Sequence, residues 1–487
     1  RLGATAPPLA AAPKRFEGLG RLHHPVTTRS AEALAYYEQG LRLYHSYVYG
    51  DAARCFQYAC QLDPSAPMFY WALSRALSRS RIDGITAEQA AFRAVELAAN
   101  APEKERWFVV ARALEVSGPQ QREAFLDTLD AAIARYPDDA ELWVWRGRSL
   151  GDGAQAAIPY HLAALQVNPD HPSANHELVH AYEGTSRPAL GWPYTVAYRR
   201  SAPNMPHAHH MQAHLAMRLG RWDTAIECTG RSVALSKAGF PDSQQPHHVD
   251  IMARCLLHQG RFAAARAEEK IDRNGLPWAR ILLREQAYDE LFRWVEARRA
   301  RAPADAAYIA ALAHLDRGDV GRARDELARL EALLGRTNPT PYALVEVRGR
   351  VLVHSGQWEE GLKVLREGAA RVVTDYGQHA WGQGSLMLEA WGEAALVAGA
   401  WAEAEEAFLE GLAHEHGSVI SALGLQVVAE QRGRPELVAH YAARARENWK
   451  RADPGALERE LARMRGLAAA GALARRQGTL APSGGGS

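Results

Sequence analysis

Cysteine is scarce, and where it occurs it forms no pattern. Cys55, Cys60, Cys228 and Cys255 are the four in the chain and show no CxxC spacing, so no disulfide framework is legible and they read as small apolar residues inside helices. An excess of one charge is also missing: 57 basic against 56 acidic residues leave a formal net charge of +1, which recommends neither nucleic acid nor an anionic membrane as a partner. No apolar run approaches the roughly 18 residues of a membrane span. With 47% apolar residues, the chain reads as soluble and globular. The compartment stays open between cytoplasmic and exported after signal removal.

What the chain has instead is histidine in a pattern. Of its 20 histidines, nearly half lie between residues 172 and 260. Three stretches carry them: His176-Glu-Leu-Val-His180-Ala-Tyr-Glu183, His207-Ala-His209-His210-Met-Gln-Ala-His214, and His247-His248-Val-Asp250. Helical offsets of three, four and seven return to one face, so His176, His180 and Glu183 form a stripe, and so do His207, His210 and His214. Imidazoles joined by a carboxylate suit copper, iron, zinc or nickel and poorly suit magnesium or calcium, which prefer oxygen shells. His209 falls off the stripe and reads as a packing residue. His161 does too, while His23 and His24 sit in a Pro-containing loop that could supply a further ligand.

The chain also repeats. From Ala33, the residues Tyr36, Gly40, Ala52, Phe56, Ala59 and Pro64 fall at the fourth, eighth, twentieth, twenty-fourth, twenty-seventh and thirty-second places. This spacing resembles the tetratricopeptide repeat, a helix–turn–helix unit of about 34 residues. Ala113, Ala132 and Pro137, then Ala157, Ala164 and Pro169, keep the same punctuation. The turn recurs at Gly220, Gly260, Gly318, Gly356 and Gly399, each followed two places later by an apolar residue that opens the second helix. The expectation is an all-α, right-handed α-solenoid of about ten helix pairs spanning residues 30–455, with the His-rich metal region at 172–260. An extended segment, 1–29, precedes it. A capping helix, 456–476, and a flexible tail, 477–487, follow. The Ala/Pro-rich Arg1–Pro13 is consistent with a mature or trimmed chain, and Ser483–Ser487 with a linker-like tail.

The register aligns the histidines. With Pro172 and Pro206 as first places, His176 and His210 are both fifth and His180 and His214 both ninth; His207 is second and Glu183 twelfth. In tetratricopeptide proteins those places line the concave groove, so the resemblance implies that all six point into it, with His247 or His248 completing the shell from the next helix. Neighbouring helices about 10 Å apart allow imidazoles to bridge around one ion or a close pair.

The segments Leu22–Thr28, Gln39–Leu41, Leu62–Pro64, Asn175–Glu183, His207–Arg221 and Pro246–His248 together resemble a bacterial group of large tetratricopeptide-repeat proteins. Its members carry an HxxxHxxE helix, a helix with HxxHxxxH-like spacing ending in RxGR, and a later histidine pair. The likeness covers roughly residues 20–270 and implies a metal site more than any one reaction. The chain departs from the group at Glu177, where an aromatic residue is usual, and at Asp250, where a second histidine is expected.

Three readings of function stand at this stage. The first is a metalloenzyme with a copper centre, or an iron one, on the concave face. It would perform oxidative chemistry on a small molecule or peptide, with Trp107 and Tyr182 among the substrate contacts and Glu183 binding metal or orienting a ligand. The second is a zinc hydrolase, because His176–His180 also reads HExxH with Glu177 as general base. The third is a non-enzymatic interaction scaffold.

Overall fold

The computed structural model describes residues 3–268, 271–379 and 384–476. The tail expected from residue 477 lies outside them. Among the described residues the chain is all-α, with twelve successive helix pairs running from Ala31–His45 paired with Tyr49–Leu62 to Val419–Gln431 paired with Pro435–Asn448, then a final helix, Ala456–Arg476. The all-α helix-pair architecture is the one expected from the repeat spacing, with twelve pairs where about ten were expected.

The repeat spacing has a steric origin. A Cβ on Gly40 would stand 2.5 Å from the Phe56 ring, and one on Gly392 would stand equally close to Phe408. Glycine at the eighth place therefore makes room for the large twenty-fourth residue, and the two helices of a pair pack ring against backbone. The five turn glycines named above all adopt positive φ, between 64° and 84°, a conformation that ends the first helix at little cost only for glycine. Two other positions do this without glycine, Tyr47 at φ 62° and Gln286 at φ 59°. All four cysteines are buried thiols, as small core residues should be.

The described residues fall into two compact units. One is drawn from Arg1–Leu215 and Glu227–His248, the other from Ala216–Ile226 and Val249–Ser487. In the first, the segment before Ala31 is extended and strapped across the helices. Gln39 Oε1 accepts from the Phe16 N–H at 2.9 Å, and its Nε2 donates to the Lys14 carbonyl at 2.8 Å. Asp63 fastens the strap's end: it accepts the Thr28 hydroxyl at 2.6 Å and the Arg29 N–H at 3.0 Å, besides the Ser65 hydroxyl and N–H at 2.6 and 3.1 Å. The first unit also closes on itself, so that the end of Ala31–His45 reaches Pro172–Glu183: the His45 carbonyl accepts from His176 and the Tyr47 hydroxyl donates to Glu177. In the second unit the final helix packs through Arg463, which bonds Glu393 and Glu460, and a buried network joins Arg284 and Arg350 to Glu393 at 3.5 and 3.1 Å.

Two outcomes follow. Gly40→Val should lower folding stability by on the order of 1–3 kcal/mol through overpacking against Phe56, read as a fall in the urea midpoint of the first unit. Burial pushes the Asp63 carboxyl up, but its hydrogen bonds outweigh that and hold it at about 2. A folded-state value below the unfolded one, roughly 3.9, stabilises the fold above about pH 4 and is lost as pH falls towards 2. Between pH 5 and pH 2.5, wild type should lose about 1–2 kcal/mol more stability than Asp63→Asn in urea titrations.

Candidate metal centre

The helix Pro172–Glu183 starts on a proline, which needs no N–H partner in the first turn. His171 caps it by accepting the Ala174 N–H on Nδ1 at 3.3 Å. Asn175 Nδ2 donates to the carbonyls of Pro169 and His171, both at 3.1 Å. This rigid start sets the phase of the HxxxHxxE stripe. Pro206–Arg218 opens the same way and lies alongside it, and Gln245–His258 brings the third stretch.

The imidazoles converge. Four sets of three groups each have ligand atoms within 4.8 Å of one another: His176, His180 and His207; His210, His214 and His247; His180, Glu183 and His214; and His45, Glu141 and His171. All four lie in the first unit. Two pairs meet at hydrogen-bond distance, His176 Nε2 with His207 Nε2 at 2.8 Å and His210 Nε2 with His214 Nε2 at 2.9 Å.

What each ring does with its other nitrogen decides which atom faces inward. His176 Nδ1 donates to the His45 carbonyl at 3.0 Å. Glu183 accepts from His180 Nδ1 through one oxygen at 3.0 Å and from His214 Nδ1 through the other at 2.7 Å. His248 Nε2 donates to Asp242 at 3.1 Å, which leaves its Nδ1 to accept from His210 Nδ1 at 3.0 Å. In His176, His180, His210 and His214 the proton is drawn to Nδ1 and the Nε2 lone pair is turned inwards, one of the two arrangements that metal-binding histidines use. With that assignment His210 and His214 aim two lone pairs at each other, a contact that a cation held between them would relieve. Nitrogens on one tetrahedral ion at about 2.0–2.1 Å stand about 3.3 Å apart, so a few tenths of an ångström of opening admits an ion.

Burial, then the neighbouring imidazoles, holds His176, His207 and His210 well below the usual histidine range. They stay neutral, with lone pairs available. Burial works the other way on Glu183, but His214 and His180 outweigh it and bring the carboxyl to about 2. Burial lowers His180, yet Glu183 more than compensates and raises it.

The rings are buried rather than spread on an open groove: His176 is 0% exposed, His210 and His214 1%, and His207 3%. Tyr47 accounts for much of this, with its ring centroid 4.3 Å from that of His176 and 5.4 Å from that of His207. His180 and His247 are less enclosed. Glu177, adjacent to His176, points to a different partnership. It accepts from Tyr47 at 3.1 Å and pairs with Arg148 at 3.3 Å. Burial pushes its carboxyl up, but Arg148 and His180 bring it below the usual range.

Other sequence candidates stand apart. His23 bonds Glu38 at 2.6 Å and His24 bonds the Tyr37 hydroxyl at 2.7 Å. His161 packs against Gly147, and His209 bonds the Pro203 carbonyl at 2.9 Å. Tyr182 stacks on Tyr194 and Trp107 packs against the core. Asp250 pairs with Arg254 at 3.0 Å. Sequence reasoning passed over Tyr47, Asp242, Glu141 and His171. A histidine before a helix-opening proline is a capping signal that could have flagged the last. The His45–Glu141–His171 set sits behind His176, with Glu141 2.6 Å from His45 and 3.3 Å from His171. Arg75, 3.5 Å from Glu141, already supplies its cation, so this set reads as support.

No protein-family model matches the chain, and no curated protein does. Among solved structures it is similar to the APC/C hetero-tetramer Cut9–Hcn1, at 14% identity over 92% of this chain and 87% of that one with a TM-score of 0.44. It is also similar to a monomeric mutant of IFIT1 with m7Gppp-AAAA, at 14% identity over 87% and 91% with a TM-score of 0.34. Yeast Tom70 is a third, at 13% identity over 91% and 96% with a TM-score of 0.34. None of these likenesses bears on the histidine centre.

If His248 orients His210, His248→Phe should lower metal affinity about 10- to 100-fold without changing the number of ions bound at saturation. Isothermal titration against elemental analysis of the saturated protein separates the two quantities.

Proposed function

We propose that this chain is a helical-repeat metalloprotein whose buried histidine chamber binds transition metal. The reading is carried by the inward-facing Nε2 atoms of His210 and His214, held at 2.9 Å by partners on their Nδ1 sides. His176, His180, His207 and His247 extend the same donor set, His248 and Glu183 orient it, and the ligands are all imidazole. Because both Glu183 oxygens are engaged by Nδ1 groups, the set lacks the carboxylate ligand of a non-haem iron facial triad; copper fits it best, zinc next, and iron less well. Bound copper would supply one-electron chemistry. The residues would exclude bulk water and keep the imidazoles neutral. On this reading the protein is an oxidoreductase acting on a small molecule or peptide, which would approach beside His180 and His247, the less enclosed ligands.

A second reading is favoured by the fold itself: paired-helix repeats present long surfaces to partners, and metal in the chamber would then stiffen an interaction scaffold. The zinc hydrolase reading places Glu177 as general base, but the Arg148 and Tyr47 contacts stabilise its ionised form and occupy one of its oxygens.

Protein purified without a histidine tag should contain stoichiometric copper or zinc by elemental analysis, and the double substitution His176→Ala with His210→Ala should empty it. Unchanged metal content in that variant would defeat the assignment. Glu177→Gln should retain full metal content. If it also abolished a hydrolytic activity of the wild type, the hydrolase reading would displace the oxidative one.

A further inference from the structure

Resting on that reading, we propose that the chamber holds two metal ions, one in each three-histidine set, with Glu183 as the shared brace between them. His176, His180 and His207 form one set; His210, His214 and His247 form the other. Two ligands of a single ion at about 2.0–2.1 Å can stand no more than about 4.2 Å apart. The ligand atoms of the six imidazoles do not all come within even 4.8 Å of one another, the spread inside each set. They gather as two trios, each sufficient for a tetrahedral ion with one position left over, the composition of an open rather than a closed site.

The trios are adjacent. His207 and His210, one from each, have ring centroids 5.3 Å apart, and His180 and His214, again one from each, are 5.9 Å apart. Those separations are close to the spacing inside a trio, where the centroids of His176 and His180 are 4.9 Å apart and those of His210 and His247 are 4.8 Å apart. Two open positions in one small chamber suit a ligand that can bridge both ions, such as hydroxide, azide or dioxygen.

Glu183 is what makes the pair a unit. One oxygen accepts from His180 in the first trio and the other from His214 in the second. A carboxylate behind an imidazole fixes its tautomer and raises its basicity as a ligand, so here a single side chain tunes both ions. It acts as a positioning residue. The ligand atoms of His180, Glu183 and His214 also lie within 4.8 Å of one another, but binding there would displace the two Nδ1–H···O bonds that organise the site.

The test is titration of the metal-free full-length protein with copper(II) chloride, and separately zinc chloride, followed by desalting and elemental analysis. Two equivalents are expected. The pair His176→Ala and His207→Ala should reduce this to one, as should the pair His210→Ala and His247→Ala. Glu183→Ala should weaken both binding steps by roughly 10-fold or more, whereas Glu183→Gln, with one acceptor oxygen, should weaken only one step. A merely structural role for Glu183 would not distinguish the two variants. With copper(II), two adjacent ions should also give less electron paramagnetic resonance intensity than two isolated ones, and azide should change that signal at one equivalent per pair. Saturation of the wild type at one equivalent would overturn the two-ion proposal and leave the metal site standing. No binding at all would overturn both.

Discussion

A hydrogen bond on the outer nitrogen of His176, His180, His210 and His214 is the interaction on which the centre depends. The His45 carbonyl, the Glu183 carboxylate and the His248–Asp242 relay each take an Nδ1 proton, and each thereby turns an Nε2 lone pair inwards. Remove these acceptors and the same histidines could settle as ordinary buried rings bonded to one another. With them in place, inward-facing ring nitrogens meet among buried side chains, an arrangement that a cation between them would relieve.

The repeat architecture supplies the positions, and the closure of the first unit supplies the burial. Side-by-side first helices put the fifth and ninth places of two units opposite each other, which is enough to pair His176 and His180 with His210 and His214. Only the return of the first helix pair brings the His45 carbonyl behind His176 and Tyr47 over the rings. Tyr47 holds a left-handed backbone conformation at φ 62°, where glycine would be favoured. Strain at a residue that touches three of the proposed ligands is what a site positioned for function would carry. Behind it, His171 joins helix capping to the Glu141 support layer, so the start of the HxxxHxxE helix and the orientation of its first histidine share one network.

Much of this was legible in the sequence. The helix-pair fold follows from glycine, alanine and proline at fixed intervals, because Gly40 and Phe56 must be read together to pack. The stripes of His176, His180 and Glu183 and of His207, His210 and His214 follow from helical periodicity alone. What periodicity could not show was depth: an open groove was expected, and the rings are buried because segments distant in sequence fold over them. Nor could it separate His247 from His248. The two are adjacent in the chain, yet one ring lies against His210 and His214 while the other has both nitrogens committed to His210 and Asp242. Long-range partners such as Asp242 and Glu141 leave no local pattern.

The tautomers themselves are the most direct measure of the account. In zinc-loaded protein labelled with 15N at histidine, two-bond nitrogen–proton correlation spectra should assign His176, His180, His210 and His214 as Nδ1–H rings with Nε2 bound to metal at pH 7. Signals from those four residues in the Nε2–H form, or as imidazolium, would mean that their lone pairs do not face a common centre and would contradict it.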